Sequence, residues 1–250
     1  MTSVLTYVVL LVVAAGAWAQ VVWSAMTDDM AGMDMIMTPA LTDGLAFVIA
    51  WGIMMAAMML PSALPMIGLY AATQRNRPAA AAAPGVPTAL FTLVYLGLWT
   101  ATGVPMYFAS VALSTVGPAV RAYGVAAVLV GAGAFQLSPL KQVCLRHCRS
   151  PLGFLLGRWR AGWRGSLALG RAHAVYCLGC CWALMVVLVA AGAMGLVWVL
   201  LVAAVVAAEK VLPGGEWTAR ATGVALVALG LVVALRPGLA MTLRGVGPAM

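Results

Sequence analysis

All five cysteines and both histidines of the chain fall in two short segments. The first, QLSPLKQVCLRHCRSP (Gln136 to Pro151), sets Cys144, His147 and Cys148 at i, i+3 and i+4, so on a helix the three point the same way. The second, GRAHAVYCLGCCWALM (Gly170 to Met185), holds His173, Cys177, Cys180 and Cys181 within about 100° of one another on a helical wheel. Thiol and imidazole donors suit zinc or copper, although the first trio has no fourth ligand of its own. Arg146 and Arg149 flank Cys148 and are expected to favour the thiolate, the binding form. Inert thiols are the alternative. The spacing His-x3-Cys-x2-Cys-Cys matches neither a zinc finger nor a haem attachment site.

Sulfur also runs along a third segment, WGIMMAAMMLPSALPM (Trp51 to Met66). On a helix, Trp51, Met54, Met55, Met58, Met59, Ser62 and Met66 share one arc of roughly 140°. Soft thioethers favour monovalent copper, while a packing role is the alternative for so adaptable a side chain. A fourth segment, TDDMAGMDMIMTPA with the preceding Met26, adds Met30, Met33, Met35 and Met37 beside Asp28, Asp29 and Asp34. Glu209, in AAEKVLPGG, either pairs with Lys210 or an interfacial Arg, or reaches His173 from the neighbouring helix and fixes its tautomer, as metal-bound imidazoles require.

The elements that carry these residues are transmembrane helices. The 250-residue chain is 64% apolar and 8% charged, with a mean hydropathy of +1.05, which excludes an ordinary soluble domain. A membrane core about 30 Å thick needs roughly 20 apolar residues, and seven runs qualify: 3–23, 44–71, 88–113, 119–139, 166–192, 194–212 and 219–236. The expected fold is all-α, one polytopic bundle over 1–250. The first run carries Ala17-Trp18-Ala19, which resembles a signal-peptidase site, but no Lys or Arg precedes it and it is long for a signal, so it is expected to stay as a helix. Eleven of the fourteen Lys and Arg then fall on one side. That places the N-terminus inside, the C-terminus outside and the methionine segment 24–43 outside.

The net charge of +8 therefore belongs to a cytoplasmic membrane surface, and no nucleic-acid module accompanies it. The basic segment 141–165 includes PLGFLLGRWRAGWRG, in which Leu155, Trp159 and Trp163 recur at a spacing of four, as on an interfacial helix that anchors to lipid.

Taken together, WGIMMAAMMLPS, FQLSPLKQVCLRHCRSPLGF, GRAHAVYCLGCCWALM and the trailing EKVLP resemble the bacterial family of predicted metal-binding integral membrane proteins, a domain-of-unknown-function family. The likeness runs from Trp51 to about Pro213. It implies metal binding by Cys144, His147, Cys148, His173, Cys177, Cys180 and Cys181, and by the methionines of the second run.

These readings converge on an inner-membrane protein that handles Cu(I), with zinc or iron as other candidate metals. Met26, Met30, Met33, Met35 and Met37 would collect the ion outside, Met54, Met55, Met58 and Met59 would pass it through the bilayer, and the Cys/His cluster would hold it inside. A metallochaperone or a membrane metalloenzyme would be the partner. Two other readings stand: a thiol oxidoreductase using Cys144, Cys180 and Cys181, and a structural subunit in which Gly131, Gly133, Gly192 and Gly195 allow close helix contact. No phosphate-binding glycine motif, nucleophile elbow or catalytic carboxylate pair supports an enzyme.

Overall fold

The computed structural model describes residues 2–31, 41–74, 85–160, 162–190, 192 and 195–240, and among these the chain is helical throughout, without strands. The helices are α1 (Thr2–Ala31), α2 (Leu41–Thr73), α3 (Val86–Ala101), α4 (Gly103–Thr115), α5 (Pro118–Leu137), α6 (Pro139–Arg149), α7 (Pro151–Arg158), α8 (Gly162–Ala190), α9 (Leu196–Val211) and α10 (Gly215–Leu235). Six stretches are long and apolar enough to cross a membrane: Val4–Thr27, Thr42–Thr73, Val86–Thr115, Pro118–Leu137, Gly162–Ala190 and Gly215–Leu235. The remaining expected run is α9, whose 16 residues extend about 24 Å at 1.5 Å per residue.

α8 is the central helix. Of its most apolar window 61% is buried, against 17–44% for the other five stretches. α1 carries Leu5, Val8 and Val12 outward, as lipid-facing helices do. It also continues to Ala31, past the expected end at residue 23, so the polar TDDM is its last turns and not a loop. Met26 is exposed there and Met30 falls in the final turn. Met33, Met35, Met37 and Asp34 lie outside the described residues.

Small residues set the closest helix approaches. A Cβ added at Gly133 would stand 2.6 Å from Gly223 O, and one at Gly230 would stand 2.9 Å from Ala126 O, so α5 and α10 touch backbone to backbone. Gly131, the other glycine of that pair in sequence, faces open space. Gly170 does the same between α8 and α3, where a Cβ would meet Phe91 O at 2.7 Å. Gly170→Val is expected to force these helices apart and destabilise the protein by about 1–3 kcal/mol. A lowered thermal midpoint in mild detergent would report it, and an unchanged midpoint would contradict the close approach.

Two breaks shape the region between α5 and α8. Ser138 ends α5 in extended backbone and caps α6 by accepting from Lys141 N at 3.2 Å, with Pro139 preset for the first helical turn. Gly162 adopts φ +82, a left-handed conformation that suits glycine, at the start of α8. The interfacial segment is therefore not one helix. Leu155 is buried in α7, whereas Trp159 lies beyond its end and Trp163 opens α8, both exposed.

Candidate metal centre

Four of the five cysteines meet where α6 lies against α8. Cys148 Sγ stands 3.7 Å from Cys180 Sγ, which stands 3.3 Å from Cys181 Sγ. Cys177 is within hydrogen-bonding reach of Cys148, Cys180 and Cys181. Cys180 also donates to Cys177 O at 3.2 Å. Cys177, Cys180 and Cys181 are fully buried and Cys148 is half-buried. The thiols hydrogen-bond one another, and among the described residues no three or more His, Cys, Asp or Glu are already arranged to hold an ion.

The fifth cysteine stands apart. Cys144 packs against Gly179, where an added Cβ would meet its Sγ at 2.7 Å. Burial pushes its thiol above the usual range, against the opposing pull of Lys141. Cys148 is also raised, first through its hydrogen bond with Cys177. The expected depression by neighbouring arginines does not arise, because those arginines are engaged elsewhere. Arg146 pairs with Glu216 at 3.1 Å on the surface and Arg149 donates to Glu209 O at 2.7 Å.

His147 does not join the thiols. Consecutive residues on a helix diverge by about 100°, so while Cys148 turns to α8, His147 stacks on Tyr176 at 4.2 Å between ring centres. There it lines a groove of about 640 Å³ with Arg146, Ser150, Phe154 and Arg158. His173 is buried among aromatic rings, with Phe91, Tyr95 and Phe154 centred 5.9, 5.4 and 5.7 Å away.

The methionine face of α2 is buried as a set: Met54, Met55, Met58, Met59 and Met66 are all 4% exposed or less. Its inner end abuts the thiols through two polar side chains. Tyr95 Oη shares a 3.1 Å hydrogen bond with Cys177 Sγ and donates to Met59 O at 3.4 Å. Lys210 Nζ donates to Cys177 Sγ at 3.1 Å and to Ser62 Oγ at 3.1 Å, and lies 3.8 Å from Met59 Sδ. One cationic group thus faces a thiol, a thioether and a hydroxyl.

Glu209 turns neither toward His173 nor to the expected Lys210, which faces Cys177. It accepts from Lys141 Nζ at 2.6 Å and from Gln136 Nε2 at 2.7 Å, with both ion-pair side chains 0–1% exposed. Lys141 Nζ donates as well to Cys180 O at 2.5 Å. Glu209 therefore sits at the level of Cys180, seven residues and about 10 Å along α8 from His173. α9 starts near the far end of α8 and brings Glu209 and Lys210 back to the cysteines.

Sequence reasoning missed Tyr95, Lys141, Lys210 and Gln136. For the two lysines a signal existed: an ionisable residue in or beside an apolar span is a functional candidate by default. Tyr95 and Gln136 carried no such mark.

A family model described as PpoB2, copper chaperone, matches residues 48–233. The chain belongs to the PpoB2 copper-chaperone family. No curated protein and no solved structure matches it. The matched span contains every cysteine and histidine, the α2 methionine face, Lys141, Glu209 and Lys210, and leaves out Met30, Met33 and Met35. Membership makes copper handling the coarse function and copper the metal, with no support for zinc or iron. The donor set fits that cargo, since thiols and thioethers are the soft ligands that select Cu(I).

Proposed function

We propose that this protein is a membrane-embedded copper chaperone that holds Cu(I) among Cys148, Cys177, Cys180 and Cys181. The supporting observation is the meeting of sulfurs from two distant segments, with Cys148 Sγ 3.7 Å from Cys180 Sγ. Copper replaces the protons that the thiols now share, so loading releases protons and strengthens as pH rises. Two sulfur donors suffice for Cu(I), and the cluster offers four.

Met54, Met55, Met58 and Met59 form the approach, weaker thioethers leading to stronger thiols. Met30, Met33 and Met35 serve as the outer collectors. His147, in the groove beside Cys148, marks the exit toward a receiving protein on the cytoplasmic side of the inner membrane. Cys144 and Glu209 hold the fold, and His173 packs behind Cys177.

Thiol mapping tests the reading. In purified protein in detergent, Cu(I) loading is expected to protect Cys148, Cys177, Cys180 and Cys181 from alkylation and to leave Cys144 unchanged. Absence of Cu(I) uptake against a competing chelator would sink it. Oxidant-driven loss of thiols with no metal uptake would favour the oxidoreductase reading instead.

A further inference from the structure

The charge distribution around the thiols is asymmetric. Lys141 is matched by Glu209 at 2.6 Å. Lys210, the next residue after Glu209, turns about 100° away from it and faces Cys177 Sγ, Ser62 Oγ and Met59 Sδ. Among the described residues the ion pairs are Lys141 with Glu209 and Arg146 with Glu216, so no carboxylate answers Lys210. Lys210 is half-buried, and a cation partly withdrawn from water gains from an opposite charge beside it. A negative charge on the loaded site would supply one.

We propose that Lys210 is the counter-charge of the loaded site, a positioning residue that neutralises Cu(I) held between two thiolates. This rests on the copper reading above. Binding is written Cu⁺ + 2 RSH → [Cu(SR)₂]⁻ + 2 H⁺, with Cys177 as one thiol and one of its sulfur neighbours as the other. The product carries one negative charge, and Lys210 Nζ is already 3.1 Å from one of its ligands. Site and lysine together are neutral. A divalent ion taken by all four thiols would leave a net negative charge over, whereas Cu(I) on two is balanced by the single lysine. Ser62 Oγ, also 3.1 Å from Nζ, aims the ammonium at the cluster from α2.

The role has a signature that a merely structural lysine lacks. Removing a half-buried cation that no carboxylate answers costs the empty protein little, yet deprives the loaded one of its partner. Lys210→Met is therefore expected to leave the copper-free thermal midpoint close to that of the wild type. The same variant should weaken Cu(I) binding about 10- to 100-fold, the usual effect of losing a group that supports a metal ligand. Lys210→Arg, which keeps the charge, should bind within a few-fold of wild type. Lys210→Gln provides the same comparison if the methionine variant does not fold.

Stronger Cu(I) binding in Lys210→Met would overturn the proposal by making the lysine an obstacle, and unchanged binding would overturn it outright. A copper-free midpoint that falls along with affinity in both neutral variants would reduce Lys210 to a packing role. Failure of the wild-type chain to bind Cu(I) would instead remove the copper reading itself.

Discussion

Cu(I) affinity is expected to fall by at least about a hundredfold, or about 2.7 kcal/mol, when Cys177 and Cys181 are both changed to serine. Losing a group that only supports a ligand already costs about 10- to 100-fold in metal affinity. Two ligands should exceed that. Serine is the informative replacement because its hydroxyl keeps the hydrogen bonds that Cys177 shares with Tyr95 and Lys210, while a hard oxygen replaces a soft sulfur. The fold should therefore survive and the loss should lie in binding. Cys144→Ser is the control: its sulfur packs against Gly179 and not among the four thiols, so affinity should stay within about twofold, well under 1 kcal/mol. Competition titration with a Cu(I) chelator reads both. Equal losses in the two variants would remove the four-thiol assignment.

The second large effect concerns stability. Lys141→Met leaves Glu209 buried with a carboxylate that no cation answers, and breaking one side of a buried pair costs about 3–5 kcal/mol. The loss should register as a lower thermal midpoint and as sensitivity of all five cysteines to alkylation, because Lys141 also holds Cys180 O. Changing both partners, Lys141→Met with Glu209→Leu, removes the charge as well as its answer and should recover most of the stability. What remains is the hydrogen bond from Gln136, about 1 kcal/mol. If single and double variants were equally unstable, the pair would be contributing shape and not charge balance.

Residue type and helical period made much of this legible. Cys177, Cys180 and Cys181 are one face of one helix, and that face is the buried one. The α2 methionines likewise share a face and are buried together. The meeting of Cys148 with α8 followed from connectivity, since α6 follows α5 at the end where α8 begins. The trio on α6 was less readable because i, i+3 and i+4 describe an arc and not a point. Within that arc His147 and Cys148 diverge enough to reach different partners, Tyr176 and Cys180.

Polar partners were harder still. Tyr95 reaches Cys177 only because Gly170 lets α3 approach α8. Lys141 and Lys210 count as cytoplasmic charges in a tally of loops, and a tally carries no direction. Their roles depend on which way each side chain turns from a helix end. Glu209 and Lys210 are adjacent in sequence and answer different groups for that reason alone.

The brevity of α9 has a consequence for the lipid around it. A helix of about 24 Å meets hydrocarbon about 30 Å thick, and such a mismatch is relieved by thinning of the bilayer or by polar ends reaching to its boundary. The polar end of α9 is the one carrying Glu209 and Lys210, beside the half-buried Cys148 and the Arg146 and Arg158 groove. In a bilayer, thinning at that end would draw headgroups and water inward toward the sulfurs. An ion released from the cluster would leave through a local thin spot, its rehydration starting before it clears the membrane.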